Sequence, residues 1–171
     1  MTDKVNIGCG TTPIDGWINF DNSYAIKLAN SPLLYQIARI LKLLNKQQIE
    51  NVEWNKKNKI YFADATKKIP LNFNSVECIY SSHMVEHLSR DGANSFLIEA
   101  LRILKTDGVL RIAVPDLRIA TDNYLNHGDA NKFMEKIFVQ APPIRNLKEK
   151  LKLIFFGYRH HQWMYDGKSL S

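Results

Sequence analysis

The chain has 171 residues, with 23 basic and 17 acidic side chains, a net charge of +6 and two cysteines. That length suits one domain with its own core and excludes two ordinary domains. Cys9 and Cys78 form no CxxC pair, which excludes a disulfide framework and a thiolate zinc site and suits a reducing compartment.

In chain order, "KVNIGCG" is an apolar run closed by glycines, the pattern of a buried strand. "TTPIDG" is turn chemistry, and "WINFD" is a second strand ending on Asp21. "NSPLLYQIARILKLLNK" predicts a helix with Ser31 as N-cap, Pro32 in the first turn, and Leu33, Ile37, Leu41 and Leu44 recurring at helical spacing along one face. "NKQQIENVEWNKKN" reads as a polar loop. "KIYFAD" is a third strand ending on Asp64, and "SVECIYSS" a fourth. "RDGANSFLIEALRILK" predicts a helix that buries Leu97, Ala100, Leu101 and Leu104. "TDGVLRIAVP" is a turn and a fifth strand stopped by Pro115. "LRIATDNYLNHG" and "NKFMEKIF" read as short helices, and "NLKEKLKLIFF" as a basic amphipathic helix.

Strands that are apolar nearly throughout and alternate with helices are covered on both faces. The expected fold is therefore α/β, with an open, mostly parallel sheet and helices on both sides. Ligands of such sheets sit beyond the carboxyl ends of the strands, at the switch point. The opening glycines, Asp21, Asp64 and "SSHMVEH" all fall at such ends. One connection fits badly: Gly10 to Trp17 is too short for a full crossover helix, so either the helix is reduced to a turn or the second strand is misplaced. No phosphate cradle GxxxxGK[ST] is present, and "GCGTTP" lacks the third glycine of a dinucleotide fingerprint.

"VNIGCG", "WINFD", "FADA", "IPLNFNSVECIYSSHMVEHL" and "EALRILKTDGVLRIAVPDL" stand in an order and spacing that resemble a class I S-adenosylmethionine-dependent methyltransferase of the methyltransferase type 11 kind. The likeness is strongest to a bacterial branch that carries "GCG…GWxNxD" and a later "HxWMYD", here "HQWMYD". The resemblance implies a Rossmann-like methyltransferase sheet and S-adenosylmethionine as cofactor. Gly8, Cys9 and Gly10 would then approach the methionyl and ribose portion. Asp21 would accept the ribose hydroxyls, Asp64 and Ala65 would meet the adenine, and Ser81 and Ser82 would line the methionine end. Each carboxylate has a plainer alternative, since Asp21 and Asp64 could cap turns. Glu99 and Arg102 read as a structural (i, i+3) pair.

"HMVEH" also matches the H-x-x-E-H signature of a zinc hydrolase, but that reading needs a long helix there. Some methyltransferases that act on hydroxyls carry ExxEH at this place and bind a metal with it; His83 replaces the first glutamate. The metal candidates are accordingly His83, Glu86, His87 and His161 (or His160). The favoured alternative is that Glu86 and His87 pair and cap the next helix.

The expected reaction is methyl transfer to an oxygen or nitrogen nucleophile. His161 is the first candidate base and His83 the second, and His161 could instead stack under Trp163 and Tyr165. The resemblance suggests a small-molecule or cell-surface glycan acceptor. A non-catalytic cofactor- or partner-binding module and an HxxEH metallohydrolase are the alternatives. The lysines form no block that indicates nucleic acid. No basic-then-apolar leader opens the chain and no apolar run reaches the roughly 18 residues of a span, so a cytoplasmic protein is expected. Peripheral membrane contact through the basic helix is the sharper of its two readings. The resemblance also implies that one domain over residues 1–171 stops short of the family's C-terminal antiparallel strand pair. That would leave the fifth strand bare and prone to self-association.

Overall fold

A computed structural model describes residues 3–139 and 160–170. Its sheet has five strands: β1 (Lys4–Ile7), β2 (Ile18–Asp21), β3 (Ile60–Phe62), β4 (Val76–Ser82) and β5 (Leu104–Ala113). Their order is β3-β2-β1-β4-β5, and every pairing is parallel. Val5, Ile7, Phe20, Val76 and Ile79 are buried, as strands covered on both faces require. The chain runs outward from β1 to β3 and then returns to β4 on the other side of β1. The carboxyl end of β1, where the glycines lie, is thus the switch point of the sheet.

The short β1–β2 connection contains no helix. A buried asparagine pair organises it instead. Asn6 and Asn19 face each other in register on β1 and β2, and the Asn6 amide donates to Asn19 Oδ1 at 3.1 Å and to the Thr12 carbonyl at 3.3 Å. Asn19 donates to the carbonyls of Ile14 and Trp17 and accepts from the Ile14 N–H at 2.8 Å. Backbone groups that a helix would have satisfied among themselves are satisfied here by two side chains.

The helices are α1 (Tyr24–Ala29), α2 (Pro32–Ile40), α3 (Lys46–Lys57), α4 (Arg90–Ile103), α5 (Leu117–His127) and α6 (Ala130–Ile137). The expected loop over "NKQQIENVEWNKKN" is wrong: it is α3. Asn45 accepts from the Gln48 N–H and Gln48 returns a bond to the Asn45 N–H, a capping box. Val52 is fully buried beneath α3 and packs with Ile49, Leu44 and Tyr35. The apolar stripe read along α2 does not seat it, although Leu44 beyond its end packs inward. Leu33 and Leu41 are 68% and 61% exposed, Ile37 is exposed as well, and Tyr35 is the buried residue. On α4 the buried stripe is Ala93, Phe96, Ala100 and Ile103, while Leu101 is 71% exposed and Leu97 also faces out. The two stripes share Ala100, and the seat of α4 on the sheet selects between them.

The predicted "TDG" turn lies inside β5. The ladder passes from Val76–Leu104 to Cys78–Val109, and Asp107 takes φ +66° in the looped-out residues between. Among the described residues β5 is the sheet edge next to β4. The Glu99–Arg102 pair is structural, as expected. Glu99 accepts from Arg102 and from the Ile69 N–H, both at 2.6 Å, while Arg102 donates to the carbonyls of Ile69 and Leu71. The pair clamps the loop before β4 onto α4. The basic helix expected over "NLKEKLKLIFF" lies outside the described residues. No described helix is long and apolar enough to cross a membrane.

Candidate functional site

The glycine turn is held against the end of β2. The N–H groups of Gly8 and Cys9 both donate to the Phe20 carbonyl, at 2.9 and 3.1 Å. Gly10 N–H donates to Asp21 Oδ2 at 3.0 Å, and Ser23 N–H donates to Asp21 Oδ1 at 2.8 Å. Asp21 is therefore a fixed carboxylate at the tip of β2. Each of its oxygens keeps a second lone pair for a ligand hydroxyl. Gly8 and Gly10 stand at φ +74° and +51°, the region that disfavours any side chain. Around Gly10 nothing lies within 4 Å of where a Cβ would stand, so its backbone is open to an approaching molecule. Gly8 is different: a Cβ there would meet Met84 Cγ at 2.4 Å. Its Cβ direction is closed by the loop after β4. The Cys9 side chain turns inward against Ile26 and Ile60. Burial, with the Asp21 charge assisting, pushes its thiol up to about 12. Cys9 can thus offer a ligand its backbone but not its sulfur.

At the end of β3, Asp64 caps its own turn. Oδ1 accepts from the Thr66 N–H at 3.0 Å and the Thr66 hydroxyl at 2.7 Å, and Oδ2 lies 3.2 Å from Lys67 Nζ. Burial raises the affinity of this carboxyl for its proton, but the bonds from Thr66 and Lys67 outweigh it and hold the group below the ordinary aspartate range. Ala65 is buried beside it. The Ala63 N–H donates to the Asp21 carbonyl at 3.1 Å, which ties this turn to the first. At the end of β4, Ser81 is fully buried and its hydroxyl has no hydrogen-bond partner among the described residues, while Ser82 is half-buried. Alternation along the strand puts the two on opposite faces, so they do not line one wall together.

The stretch after β4 does not form a long helix. His83 takes φ +51°, and a single 3-10 turn covers Val85–His87. The architecture that a hydrolase HxxEH requires is absent. Nor do Glu86 and His87 cap α4; Ser89 does, accepting from the Gly92 N–H at 3.1 Å. Instead the "HQWMYD" segment docks on this turn. The N–H groups of Gln162 and Trp163 donate to the Glu86 carbonyl at 2.7 and 3.2 Å, and the Gln162 side chain donates to the His87 carbonyl at 2.7 Å. Glu86, His87 and His161 converge as a result, with one ligand-type atom from each lying within 4.8 Å of the others. Glu86 is fully buried. Its Oε1 lies 3.3 Å from Nδ1 of His83 and 4.0 Å from Nε2 of His161, yet neither oxygen accepts an aligned hydrogen bond.

His161 Nδ1 meets the Ile137 carbonyl at 2.8 Å. Its ring packs edge-on against His87 and Phe138 at 5.0 and 5.6 Å between centroids. The expected stack under Trp163 and Tyr165 is not formed; Trp163 takes the Arg90 guanidinium and Tyr165 bridges to Asp116. Burial holds the His161 imidazole below the ordinary histidine range, against the opposing pull of its carbonyl partner.

A family profile described as a methyltransferase domain matches residues 5–112. The chain belongs to the methyltransferase domain family. The matched span takes in the glycine turn, Asp21, Asp64 and the HMVEH stretch. No curated protein matches the chain. The chain is also similar to several solved structures, three of which follow. The phosphoethanolamine N-methyltransferase 1 of Haemonchus contortus, in complex with phosphoethanolamine and S-adenosylhomocysteine, is 19% identical over 64% of this chain and 21% of its own, with a TM-score of 0.39. A SAM-dependent methyltransferase of Archaeoglobus fulgidus is 18% identical over 91% of this chain and 60% of its own, with a TM-score of 0.45. A TehB-like SAM-dependent methyltransferase of Corynebacterium glutamicum is 16% identical over 78% of this chain and 61% of its own, with a TM-score of 0.39. The chain thus spans 21% of the first protein's length and 60% and 61% of the other two.

Within this methyltransferase domain the sequence reading missed Met84, which bridges the glycine turn and the histidine cluster, and the Asn6–Asn19 pair, which shapes the turn itself. A signal for the pair was present: two buried polar residues at matched positions in otherwise apolar strands.

Proposed function

We propose that the chain is an S-adenosylmethionine-dependent methyltransferase that transfers the methyl group to an oxygen or nitrogen nucleophile of a small-molecule or glycan acceptor. The observation that carries this reading is the Asp21 carboxylate, fixed by Gly10 and Ser23 at the switch point of a sheet in the methyltransferase domain family. A ribose diol needs paired acceptors, and an ionised carboxylate in a fixed pose supplies them. The cofactor carries no phosphate, in keeping with a turn that lacks a phosphate cradle. Asp64 and Ala65, one strand further out, would meet the adenine edge, with the free capacity of Asp64 on Oδ2.

Transfer is an in-line displacement at the sulfonium carbon, so positioning supplies most of the rate and a base removes the acceptor proton. His83 suits that role better than His161. Its side chain is 70% exposed, and the Glu86 carboxylate lies beside Nδ1, which leaves Nε2 to take a proton. His161 is enclosed, with Nδ1 on a carbonyl and Nε2 toward Glu86. Self-association through the β5 edge is part of the same proposal, since among the described residues no strand pairs with that edge; light scattering measures it, and a strictly monomeric protein would remove it.

The test is calorimetric titration of S-adenosylhomocysteine into the protein and into Asp21→Ala and Asp21→Asn. Loss of a charged acceptor is worth about 1.5–3 kcal/mol, roughly 10- to 150-fold in affinity. Asp21→Asn should lie between the parent and Asp21→Ala. Equal binding by all three would remove Asp21 from the cofactor site.

A further inference from the structure

We propose that Glu86, His87 and His161 form a binding site for one divalent transition-metal ion with the ligand preferences of zinc. Three observations converge on it. First, Glu86 is fully buried and neither of its carboxylate oxygens accepts a hydrogen bond among the described residues. The exposed His83 imidazole lies 3.3 Å from Oε1 without an aligned hydrogen bond, and a buried carboxylate that accepts no hydrogen bond is costly unless a cation or a proton neutralises it. Second, each imidazole is anchored through Nδ1 on a backbone carbonyl: His87 on His160 at 3.2 Å and His161 on Ile137 at 2.8 Å. A carbonyl only accepts, so each Nδ1 carries the proton and each Nε2 keeps its lone pair. Metal-ligating histidines are oriented by this same outer contact. Third, the cluster is assembled by main-chain bonds. The Gln162 and Trp163 N–H groups hold the Glu86 carbonyl, and the His161 N–H donates to the Phe138 carbonyl at 2.9 Å. The positions of the ligands are therefore set by the fold.

Two imidazole nitrogens and one carboxylate oxygen suit zinc with an open coordination position; magnesium and calcium prefer oxygen alone. Ligand atoms around a tetrahedral zinc stand about 3.4 Å apart. Here they lie within 4.8 Å of one another, so small side-chain rotations close the site. The cluster adjoins the cofactor crevice, because Met84, just before the turn that carries Glu86 and His87, packs on Gly8. There the ion's open position would bind an acceptor hydroxyl and lower its pKa, with His83 at the mouth to take the proton. That role rests on the methyltransferase reading; the existence of the site does not.

The experiment uses chelator-treated protein titrated with Zn²⁺ and, separately, Co²⁺, without cofactor. About one equivalent should bind, with visible Co²⁺ absorption of tetrahedral type. His87→Ala, His161→Ala and Glu86→Gln should each weaken binding by at least about tenfold, while His127→Ala, on the exposed face of α5, should bind as the parent does. Circular dichroism confirms that each variant is folded. If Glu86→Gln does not fold, the two histidine variants decide. Failure to bind, or binding indifferent to His87→Ala and His161→Ala, overturns the proposal. So does a protonated Glu86 carboxyl in the infrared spectrum of zinc-treated protein at neutral pH. Because S-adenosylhomocysteine binding is measured independently, loss of either property leaves the other standing.

Discussion

Replacing Gly8 with alanine should reveal how the glycine turn and the loop after β4 are locked together. Gly8 stands at φ +74°, and a Cβ there would lie 2.4 Å from Met84 Cγ and 2.7 Å from Met84 Cβ. Two separable costs follow. Holding alanine in the left-handed region costs about 1–2 kcal/mol. Forcing Met84 aside costs about 1–3 kcal/mol, the range for overpacking a well-filled site, because the clashing atoms are at the root of its side chain and cannot swing away. Gly8→Ala should therefore lose about 2–5 kcal/mol in urea unfolding. Met84 is partly buried against the main core, so Met84→Ala has a cost of its own, and only a double-mutant cycle isolates the contact. In the Met84→Ala background the steric part should vanish and the backbone part remain, giving a coupling of about 1–3 kcal/mol. A Gly8→Ala cost that is the same in both backgrounds would refute the packing of Met84 on Gly8. The connection between the glycine turn and the histidine cluster would fall with it.

Glu99 sits below the ordinary glutamate range because Arg102 bonds its carboxylate, with burial opposing and the Ile69 N–H assisting. A carboxylate depressed on folding contributes stability above its unfolded value and loses it as pH falls. The advantage of the parent over Glu99→Gln should thus be constant above the ordinary glutamate range and shrink as pH falls through and below it, in unfolding curves measured from pH 7 to 3. Cys9, with its thiol pushed up to about 12, should resist alkylation at pH 8 in the native protein and react only on unfolding, as peptide mass mapping would show. Asn45→Ala should cost about 1 kcal/mol by removing half of the α3 capping box, and an unchanged midpoint would mean that the box is idle.

The sheet was legible because its strands are apolar nearly throughout and end on turn residues. The parallel order follows from burial on both faces. Helix faces were less legible for a physical reason. α2 and α4 carry apolar residues on more than one stripe, so periodicity offers two seats and tertiary contact selects one, as with Leu101 against Ile103. α3 escaped because its composition is polar, although its Asn45–Gln48 box and the Ile49–Val52 spacing were there to be read. The glycines, Asp21 and Asp64 stand at or just beyond strand ends as expected. The docking of "HQWMYD" on the "VEH" turn was not legible at all. It is made largely by backbone N–H and carbonyl groups across 75 residues, and backbone bonds leave no mark on side-chain identity. That docking, with the bonds of His161 to the Phe138 and Ile137 carbonyls, brings His161 to Glu86.

The most direct test of the central claim is a crystal structure of the protein with S-adenosylhomocysteine. Both ribose hydroxyls should lie within hydrogen-bond distance of the Asp21 carboxylate, with the Gly10 backbone against the ligand and the adenine edge toward Asp64 and Ala65. A complex in which the molecule binds elsewhere, or in which Asp21 keeps only its bonds to Gly10 and Ser23, would contradict the account.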